Sequence, residues 1–458
     1  MSLNKSTSIH KLLYVVLVVS LCINFIFLSS IIFRKKVKKE DIRNRNEILL
    51  KNVKKQSNRI PGKWRKIRSD LKKDISNTKK IEEKKFKTLG YLSGYKVAPK
   101  RKGITIYDKD KAYNGFNLYC SGHAPEAILI DMKGNELHKW SYKASNIVAE
   151  LRPEKKSRFR AFWWRRVHLF KNGDILALIT EIGLIKLDIN SNLIWKYRGR
   201  AHHDMFCAKD GKIYTLIHVK KINPKYNKTK PIQEDFIVIL DQNGNEIKRV
   251  SILECLENSN YSPILKKMNK QGDILHTNTI ILLNGKLAKK SPLFKKGNIL
   301  ISIRELNLIC IIDLQKKRVV WALSNMWAGQ HEPVILNNGN ILIFDNKWRP
   351  RSSRIIEFNP FTHLILWSYV GTSAEPFYSA IGGSNQRLTN GNTLITETNT
   401  GRAFEVTRNK SIVWEFISPK RAAKNNELIA SLFDMIRIDP DFPVDFLKKK
   451  LCTNKNNR

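Results

Sequence analysis

Cysteine is scarce in this chain, with 6 in 458 residues. Cys22, Cys120, Cys207, Cys255, Cys310 and Cys452 stand far apart, and no Cys-x-x-Cys pair occurs. A zinc ribbon or a thioredoxin-type redox site is therefore not expected, while disulfide pairing stays open. Acidic residues are also in short supply: 40 Asp and Glu face 83 Lys and Arg, a formal net charge of +43. Such a surplus is either a solvated basic surface in a Lys- and Asn-rich composition or an attraction for anions. Those anions would be nucleic acid, anionic lipid, or sulfated and phosphorylated small molecules. A Gly-x-x-x-x-Gly-Lys loop is absent, so nothing here cradles nucleotide phosphates in the P-loop manner.

The chain is long enough to bury a large core, and its hydrophobic content of 42% suits a globular protein. Leu12 to Phe33 is a run of 22 residues without a charge, long enough to cross a bilayer as a helix. No Ala-x-Ala site follows it, which favours an uncleaved anchor over a signal peptide. Lys5 and Lys11 precede the run; Arg34, Lys35, Lys36, Lys38 and Lys39 follow it. Taken alone, that bias would leave the body of the protein in the cytoplasm. Residues 34–102 hold 26 Lys and Arg against 7 Asp and Glu. They are expected to form an exposed, helical juxtamembrane linker that can rest on anionic lipid. With few aromatics and no recognisable fold there, no specific nucleic acid partner is expected.

From about residue 104 the texture changes to short apolar runs separated by turns. Asp131-Met132-Lys133-Gly134-Asn135 leads to Trp140. Asp188 to Trp195, Asp313 to Trp321, Asn359 to Trp367 and Thr407 to Trp414 repeat the form, and Asp241 to Ile247 follows it without the Trp. Six units result: 116–142, 168–198, 203–250, 276–323, 331–369 and 385–417. Repetition of four-stranded units predicts a six-bladed β-propeller. The first unit is incomplete, and Ile104 to Tyr107 is the expected missing strand. Ala422 to Ile438 places Leu428, Leu432, Phe433 and Ile436 at helical spacing before Asp439-Pro440, so a C-terminal helix is expected. The domain plan is then an anchor over 1–33, a basic linker over 34–103, a propeller over 104–420, and a helix and tail over 421–458.

A polar residue recurs at the opening of these units: His168, His203, His276, His331 and, in the last, Asn385. Innermost strands of a propeller line its channel, so these histidines are expected to gather at one mouth. A metal site from His202, His203, Asp204 and His276 is disfavoured, because neighbours on a flat strand point to opposite faces. No metal or other cofactor is expected.

Several ordered segments carry a resemblance. They are Leu89 to Tyr95, Gly103 to Asp108, Gly115 to Ala127, His202-His203-Asp204, His276-Thr277-Asn278-Thr279, Ser302-Ile303-Arg304, Gly329-Gln330-His331 and Ser352-Ser353-Arg354. Together they resemble the bacterial arylsulfate sulfotransferases over about residues 89–440. The resemblance implies a six-bladed propeller working outside the cytoplasm. It would move a sulfuryl group from an aryl sulfate to a phenol through a sulfohistidine, without a nucleotide sulfate donor. It makes His331 the nucleophile and puts Arg304 and His276 on the sulfuryl oxygens. His203 would serve proton transfer or oxygen binding. Asn278 would orient His276 or the sulfuryl group, with His202 and Arg354 as further substrate-binding residues. The residue types suit the chemistry. A neutral imidazole attacks sulfur and splits the transfer into two steps. Guanidinium and imidazole donors take the charged oxygens. A histidine near neutrality accepts the phenol proton. Two features depart from the family: a Lys-rich insertion, Gly285 to Lys296, ahead of Arg304, and an anchor in place of the usual signal. The alternative is a membrane-anchored, non-catalytic propeller that binds an anionic glycan or a protein partner.

Overall fold

The computed structural model describes residues 63–66, 101–151, 163–422 and 428–447. The expected anchor, Leu12 to Phe33, lies outside the described residues. Among the described residues no helix is long and apolar enough to cross a membrane.

Six sheets of four or five strands, antiparallel except for the short parallel pairing of Gly272–Asp273 in blade 3, make the body of the fold, a six-bladed propeller. From the channel outward, blade 1 runs Leu432–Ile438, Phe116–Ser121, Glu126–Ile130, Glu136–Ser141. Blades 2 to 5 start at the channel with Trp164–Leu169, Ala201–Cys207, Thr277–Leu282 and His331–Ile335. Blade 6 starts with Ser384–Arg387 and ends on a fifth strand, Gly103–Tyr107.

The repeat has a local cause. An aspartate opens the outer hairpin of several blades and closes the turn with its own carboxylate. Asp131 accepts from the backbone N–H of Lys133 and Asn135 at 2.8 and 2.9 Å, and Asp188 and Asp241 do the same. The tryptophan that ends a blade then reaches the next blade. The indole N–H of Trp140 donates to Gly173 O, that of Trp195 to Gln242 O, that of Trp367 to Arg408 O and that of Trp414 to Met132 O, at 2.8–3.0 Å. In the third blade, which lacks the tryptophan, Lys248 Nζ donates to Leu314 O at 3.2 Å. Apolar layers between neighbouring sheets complete the core, with Trp140, Trp164 and Trp414 fully buried.

Three expectations need correction. Residues 428–430 and 432–438 are strands, not a helix. Leu432–Ile438 pairs with Phe116–Ser121 and is the innermost strand of blade 1, so the propeller extends past residue 420. That strand is enclosed on both faces, and six of its seven residues are buried. It therefore has no alternation, and apolar spacing alone cannot separate such a strand from a helix. Gly103–Tyr107 does not complete blade 1; it pairs with Ile412–Ile417 on the outer edge of blade 6. Within the expected helical linker, Trp64–Lys66 is a strand paired with Leu428–Ala430.

Candidate active site

Five of the six innermost strands carry an irregularity at the same level; that of blade 6 pairs in regular register. Pairing with the second strand slips between Leu432 and Asp434, Trp164 and Arg166, His202 and Met205, Thr277 and Thr279, and His331 and Val334. A bulge breaks alternation and re-aims a side chain. Here it frees Phe433, Arg165, His203, Asn278 and Glu332 from the two-face rule around one end of the channel. His203 and Glu332 take left-handed backbone angles, φ 61° and 49°, as does His276 at 52° just before its strand. Non-glycine residues held in that region cost strain and concentrate at functional sites.

Beneath this level one guanidinium of blade 2 gathers carboxylates from blades 1, 3 and 5, and blades 4 and 6 bond to two of those carboxylates. Arg166 (blade 2) donates to Asp204 (blade 3) at 2.8 Å, to Asp434 (blade 1) at 2.9 Å and to Glu332 (blade 5). Asp204 also accepts from the N–H of Ile280 (blade 4) at 2.9 Å, and Asp434 from the hydroxyl of Ser384 (blade 6) at 2.8 Å. Three carboxylates share one cation in a buried place. Burial raises the pKa of Asp204 and pushes Glu332 up to about 7, in both cases against the pull of Arg166.

His331 is buried at the opening of its strand. Its Nδ1 lies 2.8 Å from Asn346 Oδ1 and 3.1 Å from Gly329 O. The Asn346 amide is oriented by its other end, where Nδ2 donates to Ser379 O at 2.8 Å and Gly382 O at 2.6 Å. Its oxygen must therefore face His331, and an oxygen only accepts. So Nδ1 carries the proton and Nε2 keeps a lone pair. Burial, then the charge of Arg165, holds the pKa of His331 well below the ordinary imidazole value, despite the opposing Asn346 bond. The preceding Gln330 locks this segment. Its side-chain amide donates to Ser302 Oγ, Ile303 O and Leu308 O, each at 3.1 Å, while its backbone carbonyl accepts from Asn278 Nδ2 at 2.8 Å.

His203 and His276 meet edge to face, with ring centroids 4.6 Å apart. The His203 pKa is also held well down, by burial and then by Arg165. His276 Nδ1 is hydrogen-bonded to Asp273, whose other oxygen accepts from the His276 backbone N–H at 3.0 Å. Arg304 follows strand Ile299–Ile303, pairs with Glu305, and donates its backbone N–H to His276 O at 3.3 Å. Its positive charge reaches His331 and adds to the lowering there.

The structure thus brings His203, His276, Arg304, Asn278 and His331 to one end of the channel. Asn278 holds the Gln330 carbonyl, and Asp273 is the group that orients His276. His202 lies one step back, its Nδ1 2.9 Å from His203 Nδ1. The expected opposition of these two side chains fails because the bulge falls between them and Met205. Arg354 does not join the group: it donates to Asp345 and to Met326 O, each at 2.8 Å, and braces the segment ahead of His331. His168 stands near the other end of its strand, with its ring against Phe170.

Asp204 is committed to Arg166 and to two backbone N–H groups, so the four-residue metal set considered from sequence does not form. A different trio, His202, His218 and Asp235, has ligand atoms within 4.8 Å of one another. The two imidazoles lie face to face at 4.9 Å, and Arg200 sits 3.0 Å from His218 Nε2. Stacked rings aim their lone pairs side by side rather than at one point, and the guanidinium already supplies a cation there.

Sequence reading missed Asn346, Asp273, Glu332, Arg165 and Arg166. The usable signals are an Asn in the strand that pairs with that of His331, an Asp three residues before His276, and a double arginine at the phase where other blades carry histidine.

A family model for arylsulfotransferase (ASST) matches residues 154–419, more than half of the chain. The chain belongs to the arylsulfotransferase family. The match contains His203, His276, Arg304 and His331 and stops short of the strand that closes blade 1. As a family member the chain is a sulfotransferase in general terms, with aryl sulfates as donor class and phenols as acceptor class. No curated protein matches it. Among solved structures it is similar to a protein of unknown function from Bacteroides caccae, with 11% identity, a TM-score of 0.44, and coverage of 70% of this chain and 98% of that one. It is also similar to the β-propeller domain of Cps50 (Swd1) from Myceliophteria thermophila, with 10% identity, a TM-score of 0.40, and coverage of 73% and 96%. Virginiamycin B lyase from Staphylococcus aureus gives 10% identity, a TM-score of 0.32, and coverage of 56% and 69%.

Proposed function

We propose that this arylsulfotransferase-family chain works by a ping-pong mechanism in which Nε2 of His331 carries the sulfuryl group. The carrying observation is the fixed tautomer: Asn346, itself oriented by two carbonyls, holds the proton on Nδ1. Nε2 attacks the sulfur of an aryl sulfate; the N–S bond forms as the S–O(aryl) bond breaks, and the phenoxide leaves with the electron pair. The ring gains positive charge in this step, and the Nδ1–H bonds to Asn346 and Gly329 stabilise it.

In the second half the acceptor phenol gives its proton to a base, its oxygen attacks sulfur, and the N–S bond returns its electron pair to Nε2. His276 is the base best placed for this, because Asp273 holds its Nδ1 and stabilises the imidazolium that forms. This moves the proton-transfer role from His203 to His276. Arg304 and His203 then serve the sulfuryl oxygens, where negative charge concentrates.

The test uses the full chain with 4-nitrophenyl sulfate and phenol. Nitrophenolate release and intact protein mass are followed together. The expected result is release with a transient sulfo adduct that is absent in His331→Ala. Release that persists undiminished in His331→Ala sinks the mechanism.

A further inference from the structure

Arginines in the propeller interior are paired almost without exception. Arg166, Arg304, Arg354, Arg387, Arg402 and Arg437 each contact at least one carboxylate. Arg165 is different. It is partly buried, and no carboxylate among the described residues pairs with it. It is the extra residue of the blade 2 bulge, at the level where blade 3 presents His203 and blade 4 presents Asn278. Its sequence neighbour Arg166 turns to the carboxylates below, while the Arg165 guanidinium lies 5.8 Å from the centre of the Phe433 ring. Phe433 is the bulged residue of blade 1, and Trp163 stacks on it at 6.0 Å with the ring planes 18° apart.

We propose that Arg165 is a sulfuryl-binding residue of this site, donating to the oxygens of the donor sulfate and of the sulfohistidine, with Phe433 and Trp163 as the wall against which the donor's aryl ring packs. An unpaired cation in a low-dielectric place is costly to hold. The cost is lifted when an anion arrives, which is the condition for an anion site rather than a structural ion pair. Burial and then Arg166 lower the Arg165 pKa to about 10, which still leaves it charged at neutral pH. Burial first, and then the same charge, hold the pKa values of His203 and His331 down, so the residue that draws the anion also helps to keep the nucleophile neutral. An aryl sulfate joins a flat apolar ring to a monoanionic head; the stacked Trp163 and Phe433 rings, of which Phe433 is 7% exposed, lie beside Arg165 and also beside Lys63 Nζ, 5.9 and 5.3 Å from their centres. The inference rests on the reading of His331 as the sulfuryl carrier and adds the group that holds the oxygens.

The experiment compares the full chain with Arg165→Met, Arg165→Lys and Phe433→Leu. Two quantities are read: turnover of 4-nitrophenyl sulfate with phenol, and affinity for inorganic sulfate by calorimetry. Circular dichroism checks that each variant is folded. Arg165→Met is expected to lower kcat/KM by on the order of 10²-fold and to weaken sulfate binding by at least tenfold. Arg165→Lys should recover part of both, because it restores the charge without the fork. Phe433→Leu should raise KM for the aryl sulfate and leave sulfate affinity unchanged. Wild-type turnover and sulfate affinity in folded Arg165→Met overturn the inference and leave the His331 mechanism standing. No turnover in the wild-type chain, with sulfate affinity that still depends on Arg165, overturns the mechanism and keeps the anion site. If Arg165→Met does not fold, Arg165→Lys carries the decision: unchanged kcat/KM and sulfate affinity there overturn the assignment of a guanidinium fork.

Discussion

Asn346 decides which nitrogen of His331 is free, and it does so through hydrogen bonds to two backbone carbonyls. Asn346→Leu removes the acceptor and lets the ring choose the wrong tautomer. The expected loss in the rate of sulfo-adduct formation is on the order of 10²-fold, with little change in KM. Stopped-flow nitrophenolate release in a single turnover measures it. The lowered pKa of His331 sets the pH response of the same step. A group that stays neutral well below the ordinary imidazole value keeps its lone pair there. Adduct formation is therefore expected to hold its rate as pH falls through 6.5, where an unperturbed imidazole would lose half its activity. Asp273→Asn tests the second half-reaction. Its loss should be large with acceptors of high pKa and small with acidic phenols, which need no base; a series of substituted phenols reads this as a steeper dependence on acceptor pKa.

At the scale of strands, the decisive element is Leu432–Ile438, the innermost strand of blade 1. It joins the end of the described chain to Phe116–Ser121, near its beginning, and so closes the ring. Arg437 reinforces the seam, with its guanidinium on Asn117 of blade 1 and on Glu405 of blade 6 at 2.8 and 2.9 Å. A chain cut after Pro419, which keeps the whole family match, should fail to give soluble protein. Met435 is 1% exposed, and Met435→Ala is expected to destabilise by about 2–5 kcal/mol, measured by urea unfolding. Unchanged stability would mean that blade 1 does not depend on this strand. Elsewhere the blade repeat was legible, because the aspartate turns and closing tryptophans act locally. The closing strand was not, because burial on both faces erased its alternation. The bulges were not legible either: an extra residue becomes visible only against the partner strand.

For the whole molecule, the carboxylate cluster on Arg166 couples assembly of the ring to pH. Glu332 has its folded pKa raised from 4.5 to about 7 by burial. The folded state thus keeps a proton that the unfolded chain has released. This contribution to stability is complete below pH 4.5 and is lost as pH rises through about 7. His203 and His331, with lowered pKa values, push the other way, so the informative quantity is the difference between two proteins. Glu332→Gln cannot ionise and should gain in Tm relative to wild type as pH rises across that window. A difference in Tm that stays flat with pH would show that Glu332 is ionised in the folded state throughout.

The sequence alone determined the six-unit periodicity, the strand and turn chemistry of most blades, the excess of basic charge, and the set of histidines and arginine that the family resemblance singled out. These follow from neighbours along the chain or from residue types at short spacing. Only the tertiary structure decided which strand closes the ring, that Arg354 and His168 stand apart from the other candidates, and that Asn346 and Asp273 set the proton positions of His331 and His276. It alone showed that Arg166 finds three carboxylates while, among the described residues, Arg165 pairs with none. Those are contacts between residues far apart in sequence, fixed by how the blades meet around the channel, and a linear pattern does not contain them.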